Sequence, residues 1–299
     1  MARWIARARD TNVPFYFQQA VKDREPVQML EDMRNLEMLN RQLTYTPSEA
    51  LLYAIVHDNQ AYAQYLLNQF SDDALAMPGE NFCCCPSSAP HLSMAILYNR
   101  KDIMALILHV AHRMPSPRSY VNRGGGIYVL DDRTPLHLAC EMSQPETVIM
   151  LLGSGASPQA EDLDYMTPLD LVLMKLRTSK VNIGAKKLCL ERLLMFMPEV
   201  RFNMKSSLKN DPENWSKVLG EETFNYLVGR IPGTLFLIAM QRTLAQLPAQ
   251  NFFKSLDELP IPAFLKPITE PVLRSMFCCS STKLEFLIFW PVPNIRACS

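Results

Sequence analysis

The chain is 299 residues long, and Lys plus Arg balance Asp plus Glu at 30 each. With 48% apolar residues it holds enough hydrophobic material for a core spread over about two domains. The charge balance offers no general field for nucleic acid or an acidic membrane. No apolar run reaches the ~20 residues of a bilayer span; the longest, Leu284–Trp290, is broken by Glu285 and stopped by Pro291.

The N-terminus carries Arg3, Arg7 and Arg9 before the first acid at Asp10. Acid returns soon after, at Asp23 and Glu25, and no secretory apolar core follows, so this reads as a basic end rather than a leader. Residues 1–45 are expected to cap what comes next, and the chain is expected to be cytosolic.

Helical wording begins at Thr46-Pro-Ser-Glu-Ala-Leu-Leu-Tyr-Ala54, followed by a second helix over Gln60–Leu67. A similar pair lies in His91-Leu-Ser-Met-Ala95 and Asp102–Leu108. The clearest unit is Arg133-Thr-Pro-Leu-His-Leu-Ala-Cys140, with a partner helix from Pro145 carrying Val148, Leu151 and Leu152 on its apolar stripe. A second Thr-Pro-Leu opens at Thr167, 33 residues after Thr134. In each, the Thr is placed as a helix N-cap. Pro135 and Pro168 follow at the first helical position, where a missing N–H costs nothing. The small Ala139 lets the paired helix approach closely.

The signature Thr134, Pro135, Leu136, His137, Ala139, repeated in Thr167, Pro168 and Leu169, resembles the ankyrin repeat, whose unit is a turn plus two antiparallel helices. Such a unit cannot bury its apolar face alone, so it stacks into a solenoid that presents a surface to another protein. The resemblance implies an all-α ankyrin solenoid of about four degenerate repeats over residues 46–204. Ala54, Ala95, Ala139 and Val172 mark corresponding positions, at steps of 41, 44 and 33. The two long steps place extra residues in Ser71–Pro90 and Met114–Arg133, where a client is expected to bind. Gly153-Ser-Gly155 reads as a helix C-cap, not a phosphate loop, and Gly124-Gly-Gly126 as a hairpin tip.

The cysteines point away from metal. Cys83-Cys-Cys85 and Cys278-Cys279 are adjacent runs with no C-x-x-C pair, while Cys140 and Cys189 fall on apolar helix faces. His137 belongs to the repeat wording. With no nucleophile motif and no cofactor loop, no cofactor, no metal and no catalytic residue is expected.

Beyond about residue 205 the language changes. Helices are expected from Asn210 through Leu219, with Trp215 and Val218 inward, over Glu221–Leu227, and over Thr234-Leu-Phe-Leu-Ile-Ala-Met-Gln-Arg-Thr-Leu244. Leu256-Asp-Glu-Leu-Pro-Ile-Pro262 follows a polar loop. This pair resembles the SOCS box, the module that joins substrate receptors to Elongin B/C and a cullin. Thr234, Leu235 and Ala239 match the Elongin-binding helix. Thr243 departs from the expected apolar residue, with Leu244 beside it as substitute. Leu259, Pro260, Ile261 and Pro262 match the cullin-5 box.

A closer resemblance, to one group of such ankyrin substrate receptors, runs over residues 13–268. It is carried by Ser48–Asp58, Gln60–Ala63, Leu151–Pro158 and Leu256–Pro260. It implies Elongin B/C as partner, cullin 5 (or cullin 2) with its RING protein behind it, and IMP dehydrogenase as a client. The expected organisation is a cap over 1–45, repeats over 46–204, a SOCS-box-like module over 205–268 and an irregular tail over 269–299. The alternative is a plain ankyrin scaffold whose C-terminal helices only close the array.

Overall fold

The computed structural model describes residues 46–78, 89–124, 132–262 and 265–267. They form fifteen α-helices and one 3-10 turn, with no strand among the described residues. The fold is the expected all-α one. The segment expected to cap the array, the Cys83–Cys85 run, the expected hairpin tip beyond Gly124 and the tail from 268 lie outside the described residues. The chain divides into two compact units, one holding residues 46–78 and 89–115, the other 116–124 and 132–267 of the described positions.

The first unit contains α1 (Pro47–Val56), α2 (Gln60–Gln69), α3 (Ser71–Ala74), α4 (Pro90–Leu97) and α5 (Lys101–Ala111). Thr46 caps α1: its hydroxyl accepts from Glu49 N–H at 3.3 Å, and the Glu49 carboxylate accepts from Thr46 N–H at 2.9 Å. That reciprocal box satisfies two otherwise unpaired donors. Helix α1 packs on α2 and α4, and α5 closes the set against α2 and α4. Leu51, Ile55, Leu66, Leu92, Ile103 and Ile107 are fully buried between them. Arg100 locks the two helix pairs together. Its Nε and Nη2 donate to the Ile55 and Val56 carbonyls at 3.2 and 2.9 Å, at the C-terminal end of α1.

The second unit starts with α6 (Pro117–Val121) and continues through α7 (Pro135–Glu141), α8 (Pro145–Gly153), α9 (Pro168–Thr178) and α10 (Ile183–Met195). Helix α7 packs on α8 and α9, α8 on α10, and α9 on α10, the two-layer stacking of paired helices. The remaining helices are α11 (Lys205–Asn210), α12 (Pro212–Leu219), α13 (Glu221–Val228), α14 (Leu235–Gln246) and α15 (Phe252–Asp257), with a 3-10 turn at Ala249–Asn251. The stretch expected as a polar loop before Leu256 is therefore partly helical.

The repeat is visible in the backbone as well as the wording. Ala54, Ala95, Ala139 and Val172 are all buried. The carbonyls of the three alanines each accept an N–H from five residues on: Asn59 at 2.9 Å, Arg100 at 2.7 Å and Gln144 at 3.0 Å. In each turn the residue four after the alanine is left-handed: Asp58 at φ 53°, Asn99 at 54° and Ser143 at 55°. That is the Schellman closure of a short helix. The fourth unit lacks it, because α9 runs on to Thr178 before the break at Ser179–Asn182.

Candidate partner-binding site

The signature residues build repeat-to-repeat joints. Thr134 and Thr167 are N-caps and Pro135 and Pro168 begin their helices, as the wording requires. His137 Nδ1 accepts from the Thr134 hydroxyl at 2.8 Å, and its Nε2 donates to the Met166 carbonyl at 3.0 Å. The ring is thereby held neutral with its proton on Nε2. Burial lowers its pKa, the bond to Met166 opposing that shift. One repeat later Asp170 takes the place of His137. Its buried carboxylate accepts from the N–H groups of Thr167 (3.0 Å), Asn203 (3.0 Å) and Met204 (2.7 Å), so the chain entering the C-terminal helices is tied to the last repeat. Leu136, Ala139 and Leu169 are fully buried. These residues hold the array together and face no partner.

Helix α14 presents two faces. Met240, Gln241 and Leu244 point inward, and Gln241 Nε2 donates to the Leu194 and Met197 carbonyls at 2.8 and 3.1 Å, seating α14 on the end of α10. The opposite face carries Leu235, Ala239 and Arg242, spaced for one side of a helix. Leu235 is 84% exposed, although its neighbours Phe236 and Leu237 line a cavity of about 320 Å³ with Leu190, Leu194, Leu219 and Tyr226. Thr234 caps the helix, its hydroxyl accepting from Leu237 N–H at 3.1 Å. Leu235 and Ala239 are thus brought together. Leu244, expected to substitute for Thr243 on that face, is buried against the repeat side instead. Thr243 spends its hydroxyl on the Ala239 carbonyl at 2.9 Å.

The segment Leu259–Pro262 follows α15 as a run of bends, Pro260 and Pro262 exposed and Leu259 and Ile261 half-buried. Ile261 N–H donates to the Leu259 carbonyl at 2.8 Å, and Lys266 Nζ donates to the Asp257 carbonyl, folding the segment back on the helix it leaves. The two expected insertions are only partly among the described residues. Within the second, Tyr120 and Val121 are buried. Asn122 donates to the Gly155 carbonyl at 3.0 Å and accepts from Ser157 N–H at 2.7 Å, so this part of Met114–Arg133 serves the stack.

The wording did not single out the loop before Thr167. Leu163 and Tyr165 stand there 70% and 71% exposed. The signal was available as a 33-residue offset: Asp132 and Tyr165 each sit two residues before a capping Thr, and both are left-handed, at φ 55° and 59°.

Comparison with known proteins agrees with the fold. The family model for the ankyrin repeat matches residues 131–163. Ankyrin repeat domain-containing protein 9 of Mus musculus is 37% identical over 88% of this chain and 90% of its own length. The chain belongs to the ankyrin repeat domain-containing protein 9 family. NF-kappa-B inhibitor alpha of Homo sapiens is similar over a shorter stretch, 34% identical across 27% of this chain and 23% of that protein. No solved structure matches. This family member is a protein-interaction adaptor built on ankyrin repeats. Among the described residues no group of His, Cys, Asp and Glu is arranged to hold a metal, and no helix is long and apolar enough to cross a membrane.

Proposed function

We propose that the chain is the substrate-recognition subunit of an Elongin B/C–cullin–RING ubiquitin ligase, working in the cytosol, with residues 205–268 as its SOCS-box-like module. The observation that carries this reading is Leu235. A leucine left 84% exposed at the head of an amphipathic helix, with the small Ala239 one turn on, is the form of a helix-in-groove anchor. Leu259–Pro262, stiffened by two exposed prolines, supports a second contact with cullin 5 (or cullin 2), since a rigid segment loses little entropy on docking. The client binds the ankyrin array and is IMP dehydrogenase on the family resemblance.

One observation favours the plain scaffold. Gln241, Phe252 and Leu256 are buried, so α14 and α15 do close the end of the array. The two readings part at Leu235, which contributes nothing to that closure. The test is co-purification of Elongin B/C with the full chain and with Leu235→Ala. Capture by the first and not by the second supports the ligase subunit. Equal capture, or none by either, leaves the scaffold.

A further inference from the structure

We propose that the tip 161–166 is a recognition finger, in which Leu163 and Tyr165 enter an apolar pocket of a client protein while Glu161 and Asp164 pair with Lys or Arg at its rim. The inference rests on the adaptor reading only for the fate of the client, not for its docking. Four observations carry it. Leu163 and Tyr165 are 70% and 71% exposed, side by side on one short loop. Tyr165 adopts φ 59°, a conformation costly for a bulky residue and easy for glycine, whereas the corresponding site one repeat earlier holds Asp132, a residue type that tolerates it. The strained position thus carries an aromatic that the array does not bury.

The loop is also held rigid without using those side chains. The buried Asp162 carboxylate accepts from Asp164 N–H at 3.0 Å, from Met166 N–H at 2.8 Å and from Arg133 Nε at 3.2 Å. Asp162 N–H donates to the Met166 carbonyl at 3.1 Å, and the Asn203 amide donates to the Tyr165 carbonyl. The pair is therefore displayed in one arrangement before any partner arrives, which lowers the ordering cost of binding. Finally, Glu161 and Asp164 are exposed on either side of Leu163. They repel phosphate-bearing surfaces and favour a basic rim, which points to a protein partner over nucleic acid or an acidic membrane.

The test uses the full chain and a phage-displayed random-peptide library, selected on the wild type and depleted on Tyr165→Gly. Peptides combining Lys or Arg with apolar residues should emerge, binding Tyr165→Gly, Leu163→Ser and Asp164→Lys at least about tenfold more weakly than wild type. Tyr165→Gly should melt at or above the wild-type temperature, because glycine relieves the left-handed backbone. Elongin B/C capture by these variants should match the wild type, and Leu235→Ala should bind the peptides normally, so the two readings fail separately. The proposal is overturned if no peptide survives depletion, if the survivors are acidic, or if Tyr165→Gly lowers the melting temperature.

Discussion

The ring of Phe252 occupies the space where Gly153 would carry a side chain: a Cβ built on Gly153 would fall 2.3 Å from Phe252 Cδ1. Gly153 ends α8, and Phe252, itself 2% exposed, begins α15 ninety-nine positions later. Phe196 and Phe253 complete the cluster, with ring centroids 5.7 and 5.2 Å from Phe252. The glycine that reads as a helix stop is therefore also a docking seat. The left-handed closure itself falls to Gly155, at φ 94°.

Gly153→Ala should accordingly unseat the C-terminal helices. Overpacking of this kind costs about 1–3 kcal/mol. The loss should appear as a lower urea midpoint and as earlier proteolysis around residues 247–262. Pairing it with Phe252→Leu should restore part of the stability, since the two positions share one contact. Strictly additive effects would place Phe252 elsewhere.

Asp170 makes a second joint between the repeats and the module. Asp170→Ala leaves the N–H groups of Thr167, Asn203 and Met204 without their shared acceptor. Losing charged hydrogen bonds and orphaning buried donors should cost on the order of 3 kcal/mol. Chemical denaturation reads this directly. A cost below about 1 kcal/mol, the size of a lost helix cap alone, would mean that the carboxylate serves only its own helix.

The array should weaken in acid through His91. Its ring is fully buried, with Nε2 donating to the Ser48 carbonyl at 3.0 Å and Nδ1 unpaired, and burial lowers its pKa from 6.5 to about 4. The folded chain thus keeps the ring neutral where the unfolded chain takes up a proton. This contribution is whole above pH 6.5 and is lost as pH falls from there toward 4. The loss approaches about 3 kcal/mol at its limit, from 1.36 kcal/mol per pKa unit. His91→Gln should flatten this part of the curve of stability against pH. An unchanged slope in that variant would assign the acid sensitivity to other groups, His137 first.

How far the sequence could be read differs by element. Thr134, Pro135, Thr167 and Pro168 announce α7 and α9 to the residue, because a cap and a proline act on their own first turn and need no tertiary context. The alanine positions were legible for the same reason, as local packing marks. Leu235 and Ala239 share an exposed face because helical spacing alone puts them there. What stayed hidden was set by distant contacts. Leu244 turns inward because α14 is oriented by Gln241 on the carbonyls of α10, which no local pattern records. Helix α15 forms where a polar loop was expected because Phe252 finds Gly153. Asn122, inside a supposed insertion, pairs with Gly155 and Ser157, which lie some thirty positions on.

On the proposed reading, Leu235→Ala should leave stability unchanged and weaken Elongin B/C binding. The side chain is 84% exposed, so its removal opens no cavity. Burying a leucine in a partner contributes about 1.5–3 kcal/mol, a loss of roughly ten- to a hundredfold in affinity. Ala239→Phe should block the same approach by bulk. Titration of purified Elongin B/C on full-length variants, beside their melting curves, checks both. Unaltered affinity in two folded variants would remove α14 from the interface.

The cullin contact should separate cleanly from the Elongin contact. Leu259 and Pro260 lie beyond α15, in a segment fixed by the Ile261-to-Leu259 bond and by Lys266 on Asp257, while the Elongin face stands on α14. Replacing Leu259-Pro260 by Ala-Ala removes an apolar side chain and the stiffness of the run, and disturbs none of the bonds that seat α14. Elongin B/C should therefore still co-purify with this variant, and cullin 5 should not. A cullin-2 pull-down in parallel shows which scaffold the segment selects. Loss of Elongin B/C together with the cullin would identify Leu259 as a packing residue of the module, since it is half-buried, and the scaffold reading would gain accordingly.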